Sequence, residues 1–296
     1  MLLMGKPKFF FDSFSDGIKA FGMEMTQKAP KMFANRDDAV NQFFRAQIIS
    51  RPNAINKKYD AAKNGYFLDT RFEEALPSAA PEKIPMYGRV FKASQTAYQV
   101  MAMRMRADYA DFLIGQAEKN GLDVYDESIA TGLGSLVGAT TGRAGLGRLE
   151  PISQPLNAFL FAPRFLVSNI HTLTAHSFDK TMTPQVRKIA IKNTLRIATS
   201  IASVLAIAKA MNPDSVEEDP RSTKFGKIKV GENMWVDITG GMSGLAVLGT
   251  RLIKGETKSA TGKIIEGRSA AFGSQTSLDT LEQFIEGKFS PGAGAV

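Results

Sequence analysis

The side chains with the clearest chemical potential in this chain are three cations spaced by four, Lys188, Lys192 and Arg196. On a helix this spacing places them along one ridge over two turns, with Arg187 beside it and Arg164 upstream. A ridge of that kind can follow phosphates or rest on anionic headgroups, and it has no side chains suited to reading bases. The surrounding window, residues 151–200, carries six basic side chains and one acidic, while the whole 296-residue chain carries a net charge of +8. The expected contact residues for an acidic partner are therefore Lys188, Lys192, Arg196, Arg187 and Arg164, with DNA or an anionic membrane surface as that partner. The plainer alternative is a solvated basic face.

Other groupings are weaker. Asp108 and Asp111 lie three apart on one expected helix and have acid–base types, but carboxylates at that spacing are common on solvated helix faces. His171 and His176 are five apart with no carboxylate between them, which does not align a helical metal pair. Both are expected to be packing or surface histidines, and no metal is expected. Residues 132–147 hold six glycines, but neither the dinucleotide fingerprint nor the P-loop order is present. A hinge or close helix packing is the expected use. Asp214, Glu217, Glu218 and Asp219 form an acidic loop without the order or central glycine of a calcium loop, expected to be solvated or to face the basic helix. With no cysteine, thiolate metal sites, disulfides and cysteine nucleophiles are excluded. No catalytic residue and no cofactor is expected.

These groups need elements to position them. Thr183-Pro184 starts a helix with a cap and a first-turn proline, and Pro213 lies beyond its expected end near Met211. Val186, Ala190, Ile197, Ile201, Val204 and Ala208 form its apolar stripe. Its second half loses all charge from Ile197 to Ala208 and is expected to be buried or oligomeric. Those twelve residues fall short of the about 20 that a membrane span needs. Upstream, a helix is expected from Pro163 with an apolar face of Leu166, Ile170, Leu173 and Phe178. The longest helix is expected at Ser94–Asn120, with Tyr98, Met101, Met105, Tyr109, Phe112 and Leu113 recurring at helical spacing.

The stretch from 219 to 241 carries the one strong β pattern. Lys227–Val230 and Met234–Ile238 alternate polar and apolar around Gly231-Glu232-Asn233, which predicts a hairpin over about 227–238. A lone hairpin is barely stable in water, so it must lie on helices. Trp235, the single tryptophan, is expected against the 183–211 helix or a following helix at Met242–Lys254, which Gly255 ends. A last amphipathic helix is expected at Thr276–Glu286. The phenylalanine-rich residues 1–33 read as an irregular or short helical arm, followed by helices at about 35–50 and 53–64. Pro77, Pro81, Pro85 and Gly88 mark a linker. The fold class is thus mainly α with one β-hairpin packed on helices, as an N-terminal helical part (1–85) and a helical domain (86–296).

From about residue 90 the order of features resembles the helical large polyvalent protein associated domains of tailed phages and conjugative elements. The residues concerned are Asn157-Ala158-Phe159-Leu160-Phe161-Ala162-Pro163-Arg164-Phe165, Asp219-Pro220-Arg221-Ser222, Phe225-Gly226-Lys227-Ile228, Trp235-Val236-Asp237, Gly240-Gly241, Leu252-Ile253-Lys254-Gly255 and Lys258-Ser259. The resemblance implies a non-enzymatic virion protein, packaged and delivered with the DNA, then present in the host cytoplasm or envelope. It implies phage or plasmid DNA bound without sequence preference, an anionic membrane surface, other virion proteins or a second copy of the chain as partners. The alternative is a sequence-independent nucleic-acid-binding module in the host cytoplasm. Asp219, Pro220, Arg221, Phe225, Gly226, Trp235, Asp237, Gly240 and Gly241 are expected to be structural.

Overall fold

The computed structural model describes residues 6–26, 39–51, 84, 87–153, 155–156, 160, 162–232, 234–259, 261–266 and 276–288. The Asn35 cap, the 53–64 helix, most of the 77–88 linker, Asn157–Phe159, Phe161 and Asn233 lie outside the described residues. The chain is mainly helical with two small antiparallel strand pairs. Its elements are α1 (Pro7–Thr26), α2 (Ala39–Ile49), α3 (Tyr87–Lys119), α4 (Glu127–Thr140), α5 (Pro163–Leu173), α6 (Pro184–Met211), β1 (Lys227–Lys229), β2 (Trp235–Asp237), α7 (Met242–Lys254), β3 (Glu256–Lys258), β4 (Ile264–Glu266) and α8 (Ser277–Glu286).

The axis of the fold is α3, which starts seven residues before its expected beginning. It buries Val100, Met103, Tyr109, Leu113 and Ile114, while Tyr98 is exposed. The apolar pattern of α3 is blurred because neighbours cover it on several sides. One core joins Val40, Phe44 and Ile48 of α2, the α3 residues, Leu133, Leu136 and Val137 of α4, and Val186, Ile189 and Ala190 of α6. That core crosses the proposed boundary at residue 85.

Within the expected arm, Pro7–Thr26 form a regular helix. α1 faces α3 with Ser13, Gly17 and Ala20, a small-residue stripe, while Phe11, Phe14 and Ile18 point outward. A Cβ on Gly17 would lie 3.1 Å from the Ala97 carbonyl oxygen, so the two backbones are in close contact. Ion pairs pin the contact: Arg104 holds Asp16 at 2.9 Å, and Lys92 holds Glu24 at 3.3 Å.

Two glycines give opposite expectations. A Cβ on Gly138, buried in α4, would sit 2.8 Å from the Arg143 carbonyl oxygen, and the Arg143 N–H already donates to Gly138 O at 2.6 Å. Overpacking of that kind costs about 1–3 kcal/mol, more than the helix propensity alanine recovers, so Gly138→Ala should lower the thermal midpoint. Gly115 in α3 has no atom within 4 Å of an added Cβ. Gly115→Ala should raise the midpoint, by up to about 1 kcal/mol of stability. Thermal unfolding of the two single variants checks the pair, and shifts of the same sign would contradict the packing described.

The expected hairpin is present, with Lys227 opposite Asp237, Ile228 opposite Val236 and Lys229 opposite Trp235. The turn falls between Val230 and Met234 as expected, closed by Val230 N–H donating to Met234 O at 2.9 Å. Trp235 is half-buried, with the Lys224 ammonium 5.2 Å from its ring centre. Phe225, rather than Trp235, lines the groove between α6 and α7. A second hairpin, β3–β4, was not expected and corrects the reading of one β signal. It is anchored by Lys258 N–H donating to Arg221 O at 3.3 Å and by the Arg221–Glu256 pair at 2.6 Å.

The residues expected to be structural build this corner. Arg221 grips Asp219 with both Nε and a terminal nitrogen at 2.9 Å, with Pro220 between them. Gly226, at φ 67°, donates its N–H to Glu217 O. Asp237 accepts from Thr239 N–H at 2.7 Å and from Ser243 Oγ at 3.2 Å, which fixes the entry into α7. Gly240 and Gly241, at φ 64° and 86°, turn the chain there, and Asn169 donates to Gly240 O.

Candidate functional site

Thr183 begins α6 as expected, its Oγ1 accepting from Val186 N–H. The basic ridge is only partly realised. Lys188 and Lys192 are exposed and, among the described residues, carry no ion pair. Arg196 departs from them for a geometric reason. Each step of four advances about 40° beyond a full turn, so Arg196 lies about 80° round the helix from Lys188. There it is half-buried, donating to Asn193 Oδ1 at 3.2 Å and lying 5.7 Å from the centre of the Phe112 ring.

The other two expected contact residues are corrected. Arg164 is buried and paired with Glu150, through one short contact and a second at 3.3 Å. It points inward because α5 turns its polar side to the core: Pro163, Arg164, Ser168 and Thr172 are buried. Ser168 Oγ accepts from Ala144 N–H at 2.8 Å in that tight contact. Ile170, Leu173 and Phe178 of the expected apolar face are exposed. Arg187 is half-buried and donates to Asp179 O at 3.2 Å.

Three of the four carboxylates of the acidic loop are taken up by cations of the chain. Glu218 pairs with Lys209, Glu217 with Lys258 at 3.0 Å and Asp219 with Arg221 at 2.9 Å. Asp108 and Asp111 both receive Arg51 at 2.6 Å, so their carboxylates are held by a guanidinium.

The charge-free second half of α6, expected to be buried or oligomeric, is not buried within this chain. Beyond Ile197 no α6 residue is buried. Leu195 and Ile207 are each 61% exposed and Met211 is 83% exposed. By length and composition α6 is also able to cross a membrane, which corrects the expectation from the twelve-residue run. Its first half is nonetheless fixed in the core, so the exposed part is a face and not a free span. Lys188 and Lys192 share one side of α6 with the exposed Ile191 and Leu195, while the exposed Ile207 and Met211 of the second half lie about 100° and 140° round the helix from Lys188. Along α6 an apolar groove of about 270 Å³ is lined by Leu173, Ile197, Leu205, Phe225 and Met242. The loss of charge after Arg196 was visible in the sequence; what covers the stripe was not.

Sequence reading also missed the relation of the two histidines. α5 ends at Leu173, and Ala175 and His176 adopt left-handed backbone at φ 46° and 58°. The chain doubles back, His176 N–H donates to His171 O at 2.7 Å, and the two rings meet edge to face at 5.6 Å. The five-residue spacing that separates them on a helix therefore joins them across a turn. Burial first, and then the neighbouring His176, pull the His171 ring below its ordinary value against the opposing effect of Asp179, leaving it neutral at pH 7.

The fold is that of a mainly helical protein with two small antiparallel strand pairs and one long, half-uncovered apolar helix. No protein-family model, curated protein or solved structure matches the chain.

Proposed function

We propose that this protein is a non-enzymatic module of the phage-delivered kind its sequence resembles, and that it docks on an anionic membrane surface through α6. The observation that carries the reading is the exposure of α6: Lys188 and Lys192 stand beside Leu195 on one side of its first half, and its second half, which buries no residue, exposes Ile207 and Met211 further round. An interfacial helix combines those two parts: lysines for the headgroups and an apolar side for the acyl boundary. Docking flat suits α6 better than crossing, because Val186, Ile189, Ala190 and Asn193 tie its first half into the core. The site of action is then the host envelope. Duplex DNA suits α6 less well, since protein–DNA interfaces are more polar and much more basic than a surface that interleaves two lysines with isoleucine and leucine.

Sedimentation with vesicles tests this. The protein should co-sediment with anionic vesicles, more weakly as salt rises, and bind neutral vesicles far less. Salt-sensitive binding to short duplex DNA without vesicle binding would favour the nucleic-acid reading instead. Self-association with neither would favour assembly with other copies or other virion proteins.

A further inference from the structure

We infer that His171, His176 and Asp179 form a binding site for a zinc-class divalent transition-metal ion. The three residues come from the end of α5 and the turn after it, and each has a ligand atom within 4.8 Å of the others. His171 Nδ1 lies 3.8 Å and His176 Nδ1 3.9 Å from Asp179 Oδ2. These separations are too long for hydrogen bonds and slightly wider than the about 3.4 Å between neighbouring ligand atoms of a tetrahedral zinc site. Shortening the separations between ligand atoms by about 0.5 Å at Asp179, and by at most about 1.4 Å elsewhere, would complete the set.

A second, independent observation points to a ligand. His176 is 1% exposed, and the Nδ1 atoms of both His176 and His171 are buried with no hydrogen-bond partner among the described residues. Buried polar atoms are nearly always paired, and two such nitrogens aimed at one carboxylate call for a shared cation. The left-handed backbone at His176 is uncommon for a residue other than glycine, and it is what brings the ring into place.

The carboxylate is held ready. Asp179 Oδ1 accepts from Thr181 N–H at 2.9 Å and from Thr181 Oγ1 at 2.7 Å, while Ser135 of α4 donates to Oδ2. Supporting hydrogen bonds of this kind orient metal ligands. Burial pushes the Asp179 carboxyl up, but the neighbouring His176 and the bonds from Ser135 and Thr181 outweigh it and keep the group ionised. Two imidazoles and one carboxylate suit zinc-class ions, whereas magnesium and calcium prefer oxygen ligands throughout. Three protein ligands leave a position open, and two of them, His171 and Asp179, line a cavity of about 640 Å³ with Ser135, Glu150, Arg143 and Arg164.

The chain has only two histidines, so its imidazole nitrogen NMR signals belong to these two rings alone. Titration with zinc should move both sets of signals with saturation at one equivalent, and should raise the thermal midpoint. Cobalt(II) should give the intense visible bands of a tetrahedral site. His171→Gln, at the more exposed ring, should keep the helical circular dichroism and lose about 100-fold or more in zinc affinity. Asp179→Asn should lose affinity similarly. Zinc that leaves both rings unmoved in folded wild-type protein would overturn the site, as would undiminished affinity in folded His171→Gln. The test does not depend on membrane docking.

Discussion

Asp108→Ala should lower the stability of the fold by about 2–3 kcal/mol, a drop in thermal midpoint of about 5 °C for a chain of this size. Asp108 is buried in α3 and accepts Arg51 at 2.6 Å on one oxygen and Arg104 at 3.0 Å on the other. Through those arginines it joins α3 to residue 51 just after α2 and, by way of the Arg104–Asp16 pair, to α1. Breaking a fully buried pair costs about 3–5 kcal/mol. The lower figure applies because both arginines are partly exposed and keep Asp111 and Asp16 as second partners. Asp108→Asn, which keeps the shape and loses the charge, should fall between wild type and Asp108→Ala. Thermal unfolding followed by circular dichroism decides it. An unchanged midpoint in a folded Asp108→Ala protein would remove the structural account of this carboxylate and reopen an acid–base role with Asp111.

Lys188→Gln/Lys192→Gln should weaken binding to anionic vesicles about 30-fold. A basic side chain near an anionic surface contributes about 1 kcal/mol, and both lysines are exposed without ion-pair partners among the described residues. Folding should be unaffected, since surface substitutions away from packed features stay within about 0.5 kcal/mol. Arg196→Gln should behave differently, with a smaller loss of vesicle binding and a measurable loss of stability, because its guanidinium lies against Phe112 and Asn193. Ile207→Asn probes the apolar half: leaving one aliphatic side chain out of the membrane should cost about 1.5 kcal/mol, or tenfold in binding. Vesicle sedimentation of the three variants measures this. Equal losses for Arg196→Gln and the double lysine variant would contradict the geometry of the ridge.

Much of the fold is legible where local chemistry is decisive. Thr183-Pro184, Gly255 and Thr276 set helix ends by capping and by the freedom of glycine. Thr276 forms a reciprocal capping box with Asp279, and Gly255 takes φ 68°. The first hairpin is legible because Lys227–Val230 and Met234–Ile238 alternate with period two. The second is not, because three-residue strands such as Glu256–Lys258 are too short to show a period, and their pairing depends on Arg221 and Glu217 far back in the chain. The inverted face of α5 is illegible for a related reason. Close approach selects small Ser168 and Thr172 for the inside, and hydrophobic periodicity alone points to Ile170 and Leu173. The same inversion occurs in α1, where Ser13, Gly17 and Ala20 pack and Phe11 and Phe14 do not. Spacing places Lys188 and Lys192 correctly, yet it cannot tell that Arg164 meets Glu150 or that a turn without glycine brings His176 onto His171.

The most direct measurement uses the absence of cysteine in the chain. A single Ile207→Cys substitution gives one site for an environment-sensitive dye on the exposed face of α6. With anionic vesicles the account predicts a blue-shifted, brighter emission that reverses at high salt, and no change with neutral vesicles or duplex DNA. A dye that stays in water on anionic vesicles, but responds to duplex DNA, would contradict membrane docking through α6.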